Sequence, residues 1–188
     1  MSERNTFLRS THDIGLAAWF GGSLMGAVGL NGAAESEGVT DFGTTRIASA
    51  GWAKWAPLGA VAAGANLLGG TGLLVANRKR VAGQKGVAAS TVAKTVLTGA
   101  ALAATAYTRV LGKKVDLATS EKEEDQELAG EAPVSYESAQ KQLALMQWAV
   151  PALTAGLVVL NALHGEQQRP GQQVRGVRKL VGTARKAA

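Results

Sequence analysis

The stretch THDIGLAAWFGGSLMGAVG, residues 11–29, decides the fold. His12 and Asp13 stand directly before a run of small and apolar residues that carries no charge from Ile14 to Ala34. Three further charge-free windows follow, at 56–77, 95–108 and 142–164. A helix needs about 20 mostly apolar residues to cross roughly 30 Å of hydrocarbon at about 1.5 Å per residue. The first, second and fourth windows meet that length. The third meets it once Lys94 and Arg109 extend their charged heads to the two interfaces. The pattern predicts an all-α integral membrane protein, a four-helix bundle with spans at about 12–34, 55–77, 91–110 and 142–163.

Composition agrees. Charged residues make up 18% of the chain, against about 25% in a soluble domain. Mean hydropathy is only +0.05 because the spans use Ala, Gly and Thr in place of Leu and Ile, so each inserts weakly alone. A soluble Ala/Gly-rich bundle is the competing fold, but it needs polar outer helix faces, and these windows are apolar all round. Cysteine is absent, which removes disulfides, thiolate chemistry and cysteine-bound metals. The start MSERNTFLRSTHD sets basic residues before an apolar run, as a signal peptide does. The run is long, however, and AESEGVTD (residues 34–41) makes a poor cleavage site, so an uncleaved first span is expected.

Lys and Arg near the spans set the orientation. With both termini cytoplasmic, thirteen basic residues fall inside and seven outside, while eleven of the 14 acidic residues fall outside. The inner side then carries +10 and the outer side −4, which together give the net +6. The basic pI is thus an inner-surface property, and nucleic acid is not an expected partner. Trp52, Trp55, Tyr107 and Trp148 all fall towards the outer interface, where Trp and Tyr concentrate. Trp19 lies deeper and reads as a packing residue.

The bundle is expected to occupy residues 1–163, with an acidic outer loop at 113–140 and a basic cytoplasmic tail at 164–188. Within the loop, SEKEEDQELAG (120–130) reads as a short exposed helix, with Ser120 and Glu123 at capping-box spacing and Gly130 as its stop. Ser135 is placed to cap an early start of the fourth helix. The loop reads either as a solvated segment or as a docking surface for a basic partner. In the tail, Arg175, Arg178, Lys179, Arg185 and Lys186 surround a stripe of Val174, Val177, Val181 and Ala184. That pattern suits a helix lying on the anionic inner leaflet.

Helices associate in lipid through close packing and hydrogen bonds, since hydrocarbon offers no hydrophobic drive. Gly15, Ala18, Gly22, Gly26 and Gly29 form one small-residue stripe on the first span, Ala56, Ala60 and Gly64 another on the second, and Ala93, Ala100 and Ala104 a third. They predict the internal seam of a tight bundle, with a homo-oligomer interface as the alternative. Thr91, Thr95, Thr98, Thr105 and Thr108 are expected to bond their own helix backbone. Asn66, near the middle of the second span, is expected to bond across helices or to line a polar path. Asn31 and Asn161 sit where interfacial water suffices. Pro151 should kink the fourth helix or fall in its first turns.

The two histidines, His12 and His164, both reach the inner surface, where they read as interfacial polar residues or as ligands to a haem or metal ion. Asp13 is the nearest third ligand. No Asp, Glu or His lies mid-span, and no nucleophile elbow, phosphate loop or metalloprotease motif occurs, so no catalytic residue and no cofactor is assigned.

The segment HDIGLAAWFGG (residues 12–22) resembles the opening helix of copper-resistance-D-type membrane domains. The Ala/Gly-rich spans and acidic loops resemble uncharacterised small multi-span membrane proteins of high-GC Gram-positive bacteria. The resemblance implies a multi-span membrane fold. The Met and His clusters that copper handling uses are missing, so copper is not carried over. The expected function is that of a non-enzymatic, multi-pass plasma-membrane protein, an accessory or scaffolding component with other membrane subunits or further copies of itself as partners. The alternatives are a small transport or efflux component using Asn66 and the threonines, and a haem- or metal-bearing redox subunit using His12 and His164.

Overall fold

The computed structural model describes residues 5–78 and 85–167, and side chains over 5–78 and 89–163. All regular structure among the described residues is helical: α1 (Thr6–Glu37), α2 (Asp41–Ala76), α3 (Lys85–Ala118), the short α4 (Glu123–Glu131) and α5 (Tyr136–Gln167). Three of them, α1, α2 and α5, are long and apolar enough to cross a membrane. The predicted third span lies within α3, which is not one of these three. Lys94 and Arg109 bracket a window too short and too rich in Ala and Thr.

α1 and α2 form one antiparallel hairpin and α3 and α5 another, with α1 packed on α5 and α2 on α3. The polar ties fix the directions. His12 meets Asn66 on α2 and Asn161 on α5, while Asn31 meets Trp52 and Gln147 on the same two helices. α1 therefore runs antiparallel to both α2 and α5. Tyr107 meets Gln142, so α3 also opposes α5, and α1 and α3 run parallel.

Each helix is longer than its predicted span. The 36 residues of α2 extend about 54 Å at the usual rise. Most of the segment predicted as an acidic loop is helical, the short helix expected within it included. α3 continues through it to Ala118, α4 folds against α3, and α5 begins at Tyr136. Leu111, Val115 and Ala139 are buried there with Val134, Tyr136 and Leu143 around them, a core separate from that of the apolar midsection. Apolar Leu111 and Val115, one turn apart on a charged helix, give that segment something to bury.

The seams follow heptad spacing. Trp52, Trp55, Gly59, Ala62, Asn66 and Gly69 form the face of α2 turned to α1, at alternating steps of three and four residues. Such spacing gives shallow left-handed packing of paired helices. The main core joins Trp19 to Ala62, Ala63, Ala101, Ala104 and Val150, so one indole fills the space that four alanines leave open.

α1 contains a π-helical segment, Gly26–Leu30. The added residue shifts the inward stripe, which continues through Asn31 to buried Ala34. Pro151 is buried deep inside α5, because that helix starts fifteen residues earlier, at Tyr136. Its ring removes the bond to the Gln147 carbonyl. Thr154 then turns its hydroxyl to the carbonyls of Val150 and Pro151, at 2.7 and 3.2 Å.

Candidate functional site

The site is built on a close crossing of α1 and α2. A Cβ at Gly15 would lie 2.5 Å from the Asn66 nitrogen and 2.6 Å from the Ala62 oxygen. A Cβ at Gly69 would lie 2.5 Å from the His12 nitrogen and 2.6 Å from the Leu8 oxygen. Backbone meets backbone at both points, which only glycine permits. Between these two contacts lie His12 and Asn66.

Asn66 is 1% exposed, and its Nδ2 donates to the His12 carbonyl at 3.1 Å. The His12 Nδ1 lies 2.9 Å from the Asn66 carbonyl oxygen and 3.0 Å from its side-chain Nδ2. The Asn161 Nδ2 lies 3.4 Å from His12 Nε2. A proton on Nδ1 satisfies this arrangement: Nδ1–H donates to the Asn66 carbonyl, and the Nε2 lone pair accepts from Asn161. Gly70 leaves room for the ring, since a Cβ there would come within 3.1 Å of Nδ1. One imidazole thus ties α1 to α2 and α5.

Two further polar ties cross the molecule. Trp19, 1% exposed, donates its Nε1 to Thr105 Oγ1 at 3.2 Å, and Thr105 passes its own hydroxyl to the Ala101 carbonyl at 2.8 Å. Beside the π-helical segment, Asn31 accepts from Trp52 Nε1 at 2.9 Å and donates to Gln147 Oε1. Among the described residues, every buried side-chain nitrogen and oxygen has a partner. Unpaired polar groups cost most away from water, so this is what a dry interior requires.

Several expected residues fall elsewhere. Gly15, Gly22 and Gly26 do face a neighbour, but at Gly22 and Gly26 that neighbour is the ring of Trp55 and Trp52, not backbone. These tryptophans serve as knobs on α1 as well as lying towards one end. Ala18 is exposed, and a Cβ at Gly29 would meet only its own Met25. Gly64 meets nothing within 4 Å, and Gly69 takes the role assigned to it. Ala60, Ala93 and Ala100 also point outward, whereas Ala104 is buried. On α2 and α3 the seam lies about one residue beside the small-residue stripe, while on α1 Gly15, Gly22 and Gly26 lie on it. Asn31 and Asn161 bond to protein, in place of the water expected. The side chain of His164, and Arg175, Arg178, Lys179, Arg185 and Lys186, lie outside the described residues.

The bond of Asn161 to His12, the roles of Gln147 and Gly69, and the packing of Trp52 and Trp55 against α1 were not foreseen from the sequence. The heptad spacing of Trp52, Trp55, Gly59, Ala62, Asn66 and Gly69 was the available signal. Among the described residues no three His, Asp or Glu side chains gather as a metal site. Both His12 nitrogens are engaged by asparagines, so a metal there would first have to displace one of them.

The opposite end holds a polar cleft of about 330 Å³ between α2 and the α3–α4 turn, lined by Arg46, Ser49, Asp116, Ser120, Glu121 and Asp125. Arg46 pairs with Glu121 at 2.5 Å, Lys113 with Asp116 at 3.0 Å, and Ser120 donates to Asp125 at 2.6 Å. Most of its charges are thus balanced within the chain. The expected Ser120–Glu123 capping box is replaced by this Ser120–Asp125 bond, and α4 ends at Glu131, one residue beyond Gly130. The chain matches no protein family, no curated protein and no solved structure.

Proposed function

We propose that the chain is a non-enzymatic, four-span plasma-membrane protein with both termini in the cytoplasm, acting as an accessory or scaffolding component of a membrane assembly. The inverted distribution of polarity carries this reading. Leu58, Val61, Leu68 and Val75 on α2, and Leu145, Val158 and Val159 on α5, are exposed, while Ser23, Asn66 and Thr154 are buried. Water would reverse that order; lipid favours it. α3 joins as the fourth span by packing on α5, with exposed Arg109 at one end and Lys94 at the other.

Scaffolding is favoured over transport because the Asn66 amide is spent on His12, and the hydroxyls of Thr95, Thr105 and Thr108 on their own helix. The test is capture of the full chain in mild detergent followed by mass spectrometry. A stoichiometric membrane partner is expected. Recovery of the chain alone at every detergent strength, together with solute uptake that Asn66→Leu abolishes, would replace scaffolding by transport.

A further inference from the structure

The far end of the α1–α2 hairpin is set off from the rest of the molecule by a break in each helical backbone. On α1 the break is the π-helical segment Gly26–Leu30, where the Asn31 nitrogen reaches back to the Gly26 carbonyl. On α2 it is Pro57, whose ring removes the bond to the Ala53 carbonyl. Asn31 lies between them: it bonds Trp52, next to Ala53, and Gln147, the residue whose carbonyl Pro151 frees. Beyond the breaks the hairpin holds together, with Leu30 against Gly51 and Trp52 against Gly26. Polar ties join it to the other helices. Arg46 pairs with Glu121 at 2.5 Å, and Gln140 donates to Thr45 at 3.1 Å. Its apolar burial is small. No residue from Glu35 to Leu58 is buried, and the core at this end is drawn from Leu111 and Val115 of α3 and Ala139 of α5. The polar cleft of about 330 Å³ lies between, with Arg46 and Ser49 on the hairpin side and Asp116, Ser120 and Asp125 on the other.

We propose that residues 31–52 form a hinged flap that swings about the π-helical segment and Pro57, and that the Arg46–Glu121 pair latches it shut over the polar cleft. Helices bend where a proline or a π-turn interrupts the hydrogen-bond ladder, and a segment with little buried apolar surface opens at low free energy. An exposed ion pair suits a latch because water and salt compete for it. The side chains of Arg46 and Glu121 are 45% and 81% exposed. α3 carries neither proline nor π-turn, so the wall that bears Asp116 stays fixed while the hairpin moves. Opening uncovers Asp116, Ser120 and Asp125, and closing covers them.

Spin labels on Val39→Cys at the flap tip, 98% exposed, and Glu127→Cys on α4 report the opening by pulsed electron paramagnetic resonance on the full chain in mild detergent. A short and a long distance are expected, and concentrated salt raises the share of the long one. Glu121→Gln raises the long-to-short ratio about two- to fivefold, the range for losing an exposed pair. Pro57→Ala, which returns the bond to the Ala53 carbonyl, narrows the distribution. Labels on Glu127→Cys and Leu145→Cys, on α4 and α5, keep one distance throughout. A Val39–Glu127 distance that neither salt nor Glu121→Gln changes overturns the flap, and the salt titration decides the matter even where Glu121→Gln fails to fold. A change in both label pairs overturns it too, because α4 and not the hairpin would then be moving. A distribution equally broad in Pro57→Ala overturns the hinge.

Discussion

At the scale of single residues, glycine tests the crossing. Gly15→Ala and Gly69→Ala force a methyl group against backbone at 2.5 Å, and overpacking of that kind costs about 1–3 kcal/mol. Gly64→Ala meets nothing and should be neutral or stabilising, since alanine is the better helix former by up to about 1 kcal/mol. Thermal unfolding in detergent separates them; equal melting of Gly15→Ala and Gly64→Ala would remove the close crossing. Asn66→Leu is expected to cost about 1–2 kcal/mol, the upper range for hydrogen bonds between helices in lipid. A cycle with His12→Ala should show coupling of about 0.5 kcal/mol or more, and strict additivity would mean that the two do not interact. Burial of Trp19 and a cross-helix role for Asn66 were legible, because a large indole and a mid-span amide are both costly in hydrocarbon. Asn31 and Asn161 were not legible: near a span end, water is as good a partner on paper as Trp52, Gln147 or His12.

At the scale of elements, the helices divide by what makes them stable. α1, α2 and α5 should each insert as isolated segments in a translocation reporter, whereas α3 alone should insert in under half of the chains. Lys94→Leu should raise that fraction, because a lysine costs up to about 3 kcal/mol at mid-membrane and less near an end. Insertion of α3 as efficient as that of α5 would contradict its dependence on neighbours. On the proposed threading the α4 end obeys different rules, since its core would form outside the lipid. Leu111→Ala, at a side chain 1% exposed, is expected to cost about 2–4 kcal/mol. Its neighbour Val110, 64% exposed, should change stability by less than about 0.5 kcal/mol when cut to alanine. The start of α5 was readable from Ser135, whose hydroxyl accepts from the Ser138 nitrogen at 3.3 Å. The cap of α4 was misread: the turn that bonds the Ser120 nitrogen to the Leu117 carbonyl brings that serine to Asp125, and spacing alone favoured Glu123.

At the scale of the whole molecule, threading is the decisive property, and the absence of native cysteine makes it directly measurable. Glu127→Cys should react with an impermeant maleimide in intact cells, and Thr183→Cys only after permeabilisation. The reverse pattern would invert the protein in the membrane. The sequence by itself predicted a helical chain with four spans, of which three are helices long and apolar enough to cross a membrane, and an uneven placing of charge along the chain. These follow from long-wavelength patterns that every residue of a helix helps to set. Only the tertiary structure decided which face of each helix turns inward, that α3 joins through α5, and that His12 links three helices. The reason is physical: in soluble proteins the contrast of apolar and polar faces marks the buried side, but these helices are apolar all round. With no such contrast, shape and hydrogen bonding choose the seam, and both belong to pairs of helices and not to either one alone.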